Sequence, residues 1–233
     1  MNEPAYHLQS LVRTIPDFPK PGILFRDITT LLSNPAAFQE TLQLLVSRYR
    51  DVELHAVCGI ESRGFLIGAP LALELGVAFV PIRKPGKLPA AVERVEYALE
   101  YGTDSLEIHK DALQPGQRVL LADDLLATGG TISAAAQLVQ RLDTIVHEAA
   151  FIIELEGLGG REKLSCPAFS LMRFTEERWL IRTVRSVIGK KRKSALKAGK
   201  KLGIGLVSRT VALIFCMRAM SATCRIQLHR LTN

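Results

Sequence analysis

The sequence predicts an α/β fold: a mainly parallel, twisted sheet flanked by helices, with an added hairpin and a basic C-terminal tail. Three observations predict it. Short apolar runs at 55–60, 77–82, 117–122 and 145–155 are interleaved with helical patterns at 35–50, 65–75 and 131–142, and strands alternating with helices build βαβ units around a parallel sheet. The third run leads straight into Asp123-Asp124 and a glycine-containing turn ahead of a helix, at the strand end where open α/β sheets bind ligands. Composition then breaks after Phe174, dividing the chain into a domain, 1–174, and an extension, 175–233.

Each element has a local reason. Residues 6–15 have the apolar spacing of a short amphipathic helix, and the Pro-rich DFPKPG, 17–22, reads as loop. At 35–50, Asn34 is placed to cap a helix, Pro35 suits its first turn, and Phe38, Leu42, Leu45 and Tyr49 recur at helical spacing. The run 55–60 reads as a buried strand, Glu61-Ser62-Arg63-Gly64 as a turn, and 65–75 as a helix stopped by Gly76. A second strand, 77–82, leads into a basic loop, 83–92. Residues 95–100 and 106–108 alternate like the arms of a hairpin. A strand at 117–122, a helix at 131–142, a strand at 145–155 and a short strand at 169–172 complete the pattern.

Composition excludes several classes. A chain of 233 residues, 48% hydrophobic and 23% charged, suits one globular domain plus an appendage and buries a core without disulfides. Its 17 Gly and 11 Pro follow no period, which excludes collagen-like and low-complexity classes. Cys58, Cys166, Cys216 and Cys224 form no disulfide framework and no Cys-x-x-Cys pair, so free thiols in a reducing compartment are expected and a structural zinc site is not. The N-terminus has no long apolar core and carries Pro4, Pro16, Pro19 and Pro21, so a signal peptide is not expected. No charge-free apolar run reaches the roughly 18 residues of a membrane span, since Arg209 and Arg218 interrupt the best candidate, 202–224. The net charge of +7 is unevenly spread: residues 1–174 hold 16 Lys+Arg and 21 Asp+Glu, a net −5, and residues 175–233 hold 14 and 2, a net +12. A basic balance points to nucleic acid or an anionic membrane, and here it does so for the tail alone.

The segment VLLADDLLATGGTISAA, 119–135, carries the most chemistry. Gly129 and Gly130 let the backbone approach a ligand, Thr128 and Thr131 add hydroxyls, and the free N–H groups of the helix start suit a phosphate monoester. Neither a G-x-x-x-x-G-K-[ST] loop nor a G-x-G-x-x-G loop is present. Carboxylates beside a phosphate cradle fit a ribose 5-phosphate, with Asp123 and Asp124 accepting from its hydroxyls. The same residues, read alone, also fit a strand-capping Asp pair and an ordinary tight turn. Arg63 follows the first buried strand in a turn ahead of a helix, at the same sheet edge. Arg83, Lys84 and Lys87 put three cations directly after the second strand, as a ligand with several negative charges requires. His55, His109 and His147 are given no role.

The segment 119–135 resembles the phosphoribosyl-pyrophosphate (PRPP) motif of type I phosphoribosyltransferases, and its LLATGGT form resembles the adenine branch of that family. FPKPGILFRDIT (18–29), GIESRGFLIGAPLA (59–72), FVPIRKPGKLP (79–89), YALEYGTDSLEIHKDAL (97–113) and GLGGREKL (157–164) match the same family in order, so the resemblance covers about residues 6–174. It implies the type I phosphoribosyltransferase fold and conversion of adenine and PRPP to AMP and pyrophosphate, in a cytoplasmic homodimer. Asp123 and Asp124 would hold the ribose, and Ala127, Thr128, Gly129, Gly130 and Thr131 the 5-phosphate. Arg63, Arg83, Lys84 and Lys87 would hold pyrophosphate, with an unusual peptide geometry at Glu61-Ser62. The hairpin becomes a mobile hood in which Glu100 handles the proton on adenine and Tyr101 helps closure. Phe25 would stack on the base, backbone groups of Leu24 and Arg26 would read its Watson–Crick edge, and Leu126 and Ala127 would form the opposite wall. No protein metal site is implied; Mg²⁺ arrives with PRPP and touches at most Asp123 or Asp124.

Two other readings share this fold: a PRPP-sensing regulator that uses the tail on nucleic acid, and an enzyme acting on guanine or hypoxanthine. The intact YALEYG segment and basic loop speak against the first, and the match to the adenine branch against the second. The tail, with KKRKSALKAGKK, has no counterpart in the family pattern. Its charge suits nucleic acid or an anionic membrane, and its abrupt composition also suits a non-native extension from a shifted reading frame.

Overall fold

The structure, a computed structural model, describes residues 5–21, 23–98 and 103–175. All of them belong to the first of two units into which the chain divides, Met1–Thr175. Its centre is a five-stranded sheet built from β3 (Ala56–Ile60), β4 (Ala78–Ile82), β7 (Arg118–Leu126), β8 (Ile145–Glu156) and β9 (Ala168–Thr175). The order is β4-β3-β7-β8-β9 and every pairing is parallel. The chain winds one way from β3 to β4 and the other way from β7 onward, so strand order reverses between β3 and β7. In such sheets that crevice is the ligand site.

Alternation along the strands sends side chains to two cores. Ala56, Cys58, Ile60, Val119, Leu121, Ala149 and Phe151 face α5 (Gly130–Gln140) and the hairpin of β5 (Val92–Ala98) with β6 (Thr103–His109). Val57, Leu120, Ala122, Ala150 and Ile152 face α1 (Ala5–Leu11), α2 (Thr29–Leu32), α3 (Pro35–Tyr49) and α4 (Arg63–Leu75). A sheet covered on both faces needs continuous apolar strands, and β3 is buried at every position.

Local signals behave as expected in the longer helices. The Asn34 side chain caps α3 by accepting from the Ala37 N–H at 3.2 Å, and Gly76 ends α4 in the left-handed region at φ 67°. The sequence reading assigns no element to 24–27 or 29–32, which form a strand and α2; the other differences lie at element ends. The helix expected over 6–15 stops at Leu11, because residues from 13 onward form β1 (Arg13–Pro16), antiparallel to β2 (Leu24–Asp27). The strand expected over 117–122 runs on to Leu126, held by pairing of Leu125 with Ile153 and Leu126 with Glu154. Asp123 and Asp124 therefore lie within β7, not after it. The turn expected at 61–64 is shorter, since α4 starts at Arg63, and β9 extends through Thr175, one residue past the expected boundary. Among the described residues no helix is long and apolar enough to cross a membrane.

Candidate active site

A cleft of about 280 Å³ opens at the β3/β7 crevice. Its floor is the end of β7. Asp124 is buried and Asp123 faces the opening, with the Asp124 N–H donating to Asp123 Oδ1 at 2.9 Å. Oδ2 of Asp124 is buried and accepts no hydrogen bond. Arg63 Nε stands 3.0 Å from it as an ion pair, without hydrogen-bond alignment. Burial raises both carboxyl pKa values; the neighbouring Asp124 carboxylate adds to this at Asp123, and Arg63 offsets it in part at Asp124. A buried carboxylate with one acceptor unfilled is costly to the fold and ready for a ligand's hydroxyls.

Ala127, Thr128, Gly129, Gly130 and Thr131 form the adjoining wall. Gly129 takes φ 79° as the N-cap of α5, so the first N–H groups of a helix buried along most of its length point into the cleft. A second reason for glycine is packing: a Cβ on Gly129 would lie 2.5 Å from the Gly160 carbonyl oxygen, and one on Gly160 would lie 2.0 Å from that of Ala127. The loop after β8 thus backs directly onto the cradle.

On the opposite side, the peptide Glu61–Ser62 is cis, at the position where the resemblance implies unusual geometry, and Glu61, Ser62 and Arg63 line the cleft. The basic loop is fastened by carboxylates that the sequence reading left without a role. Glu61 accepts from the Lys84 N–H at 3.0 Å and from Arg83 Nε and Nη2 at 3.2 and 3.3 Å; the Lys84 N–H first, then Arg83, hold its pKa below the ordinary value against burial. Buried Glu107 accepts from the Gly86 N–H at 2.9 Å and from Arg94 Nε at 2.8 Å, and its backbone bridges to Arg83. Lys84 reaches the cleft while its ammonium binds Asp104 and the Tyr97 hydroxyl on the hairpin. Burial works against that charge, but the two partners hold its pKa above the ordinary value.

Of the residues singled out in the sequence, the structure brings Arg63, Lys84, Asp123, Asp124, Leu126 and 127–131 into one cleft. Arg83 and Lys87 do not line it; Arg83 is turned to Glu61 and to the Lys87 carbonyl, 3.1 Å away. Leu24, Phe25 and Arg26 sit beside it on β2, with the Phe25 ring 5.8 Å from the Arg63 guanidinium and edge-on to Phe18. The Arg26 guanidinium stacks on Phe174 at 4.5 Å, away from the cleft. Asp27 anchors this strand by accepting from the Thr29 N–H at 2.9 Å and from Arg13, contacts that hold its pKa at about 2. Glu100 and Tyr101 lie outside the described residues. Among the described residues no three His, Cys, Asp or Glu side chains cluster to hold a metal ion.

A doubly wound sheet with paired aspartates at its switch point, beside a glycine-started helix, suits a phosphorylated sugar, as the resemblance to phosphoribosyltransferases implies. Accordingly, residues 27–168 match the phosphoribosyl transferase domain. An adenine phosphoribosyltransferase of Chloroflexus aurantiacus is 61% identical over 168 residues, covering 72% of this chain and 97% of that protein. The crystal structure of adenine phosphoribosyltransferase from Thermoanaerobacter pseudethanolicus superposes with a TM-score of 0.70 at 53% identity, covering 72% and 98% of the two chains. That from Saccharomyces cerevisiae, complexed with adenine and an imino-altritol bisphosphate, superposes at 0.69 with 43% identity and the same coverage. The chain belongs to the adenine phosphoribosyltransferase family.

Proposed function

We infer that this protein transfers the 5-phosphoribosyl group of PRPP to adenine, forming AMP and releasing pyrophosphate, a purine-salvage reaction. The observation that carries the reading is the cleft itself, in which buried aspartates with an unfilled acceptor adjoin a phosphate cradle. In the reaction the bond from the ribose C1 to pyrophosphate breaks as adenine N9 bonds to C1 from the opposite face, and N9 gives up its proton. The anomeric carbon carries positive charge in between.

The roles follow from chemistry and position. Asp123 and Asp124 accept from the ribose hydroxyls, and their charge faces the developing cation. Ala127, Thr128, Gly129, Gly130 and Thr131 hold the 5-phosphate through N–H and hydroxyl donors. Arg63 and Lys84 receive pyrophosphate, and Arg83 and Lys87 join them once Glu61 gives Arg83 up or act from the basic loop's outer side. Phe25 stacks on adenine, opposite Leu126 and Ala127. Among the described residues β2 pairs with β1 alone, which leaves its other edge open there and supports reading of the base by backbone groups at Leu24 and Arg26. Glu100 takes the proton and Tyr101 closes the hood, excluding water that would hydrolyse PRPP. Mg²⁺ fits this donor set as a companion of PRPP, neutralising the pyrophosphate, with Asp123 or Asp124 the residues able to touch it. A homodimer is supported by Leu66 and Leu73, exposed on α4 and seven residues apart, and a cytoplasmic setting by the free thiols Cys58 and Cys166. The +12 charge of 175–233 suits an anionic partner, nucleic acid or membrane, and retention of the full chain on either should weaken as salt rises.

The test is AMP formation from adenine, PRPP and Mg²⁺ by the full-length chain and by Glu100→Ala, with hypoxanthine and guanine as competing bases. Adenine-selective turnover that falls at least about tenfold in the variant is expected. Binding of PRPP without turnover would overturn the reading.

A further inference from the structure

The segment GLGGREKL, 157–164, holds no residue of the cleft lining, yet it is built against the phosphate cradle. Glu154, near the carboxyl end of β8, is in register with Leu126, the last residue of β7 before the cradle begins. Its carboxylate is buried and receives both arms of Arg161, Nε at 2.9 Å and Nη2 at 2.5 Å, while Arg161 Nη1 donates to the Ala168 carbonyl at 2.5 Å. One guanidinium thereby ties the loop to β8 and to the start of β9. The bidentate fork fixes direction as well as distance. Just before Arg161, Gly160 lies against the cradle from behind, with room for no Cβ against the Ala127 carbonyl. Just after it, the Lys163 carbonyl accepts from Ser133 Oγ of α5 at 3.1 Å, and Leu164 packs against the core that holds Ile132. The cradle is thus clamped between its own helix and a loop that the Glu154–Arg161 ion pair ties to β8 and the Ser133 hydroxyl ties to α5.

We propose that Glu154 and Arg161 are positioning residues for the 5-phosphate cradle, holding Gly160 against Ala127 and Gly129 so that the backbone donors of 127–131 converge on a phosphate monoester. The inference rests on the reading of the cleft as a PRPP site. It sets Arg161 apart from Arg173, which also reaches Glu154, at 3.4 Å, but springs from β9 and has no place in the loop.

The experiment measures affinity of the full-length chain for ribose 5-phosphate and, separately, for pyrophosphate by calorimetry, with KM for PRPP and for adenine alongside. Arg161→Gln should weaken ribose 5-phosphate about tenfold, the loss of one or two charge-assisted contacts, and raise KM for PRPP in step. Pyrophosphate affinity, set by Arg63 and Lys84 across the cleft, should stay within about twofold. Arg161→Lys, which keeps the charge but not the fork, should recover only part of the loss, and Arg173→Gln should leave ribose 5-phosphate affinity within about twofold. Equal loss for both ligands, an equal effect of Arg173→Gln, or no loss would overturn the assignment. If Arg161→Gln does not fold, Ser133→Ala cuts the second tie between cradle and loop; it should weaken ribose 5-phosphate two- to threefold, and an unchanged affinity would overturn the proposal. A wild-type chain that binds neither ligand sinks the PRPP reading itself, whereas a binding wild type with unaffected variants sinks this inference alone.

Discussion

Two arginine–carboxylate pairs sit at opposite ends of the same parallel sheet, and they are finished differently. Near the start of β8, Glu148 accepts from Arg48 Nε and Nη2 at 2.8 and 2.9 Å and from the Tyr49 hydroxyl at 2.7 Å. The Arg48 guanidinium is itself stacked on Phe169 at 4.0 Å. Burial opposes the charge of Glu148, but these donors hold its pKa below the ordinary value. Near the end of β7, buried Asp124 keeps its Oδ2 without a hydrogen bond; Arg63 approaches it without hydrogen-bond alignment, and burial raises its pKa. A carboxylate whose acceptors are filled by its own fold serves the fold. One left with an acceptor unfilled at a strand's carboxyl end is available to a substrate.

The contrast sets out four measurements. The largest effect should come from Asp124→Asn: kcat/KM for PRPP should fall about 10- to 100-fold, the loss of one charge-assisted contact to ribose. The thermal midpoint should hold or rise, because an under-compensated buried charge is removed. A loss of several degrees would erase the contrast. Glu148→Gln should show the reverse: about 2 kcal/mol of stability lost, or about 4–8 °C in midpoint, with AMP formation per folded molecule retained.

Acid should separate the two variants further. Because the pKa of Glu148 is lowered in the folded state, its contribution is fully present above the ordinary glutamate value of 4.5 and is lost as pH falls through the lower folded value. Wild type and Glu148→Gln should therefore converge in urea midpoint as pH drops below about 4.5 and stay apart above it; parallel curves would remove Glu148 from the account. The smallest effect belongs to an intermediate case, Lys84–Asp104, half-exposed and shared between cleft and hairpin. Asp104→Asn should raise KM for PRPP only about two- to fivefold, the range of a partly solvated ion pair. A larger change would make Asp104 part of the site itself.

What was legible in the sequence was contiguous. Asp123, Asp124 and the Thr128–Thr131 turn sit in one stretch, and their chemistry is stated by residue type and spacing alone. The long helices were legible for the same reason, since Asn34, Pro35 and Gly76 act on their immediate neighbours. Short elements were not. Residues 13–16 carry a pattern that continues a helix, and only pairing with 24–27 makes them a strand. β7 outruns its apolar stretch because β8 is long enough to keep pairing with it through Glu154.

The sequence by itself therefore determined the fold class, the family and the half of the cleft that one strand-turn-helix segment builds, because hydrophobic period, capping and glycine placement act over a few residues. Tertiary structure alone decided which charges meet. Arg63 reaches Asp124 across the switch point, Glu61 takes Arg83 from the cleft, Glu107 ties the basic loop to the hairpin, and Glu154 receives Arg161 beneath the cradle. Each is an ion pair or hydrogen bond whose energy depends on a separation of a few ångströms, and chain distance carries no information about that separation.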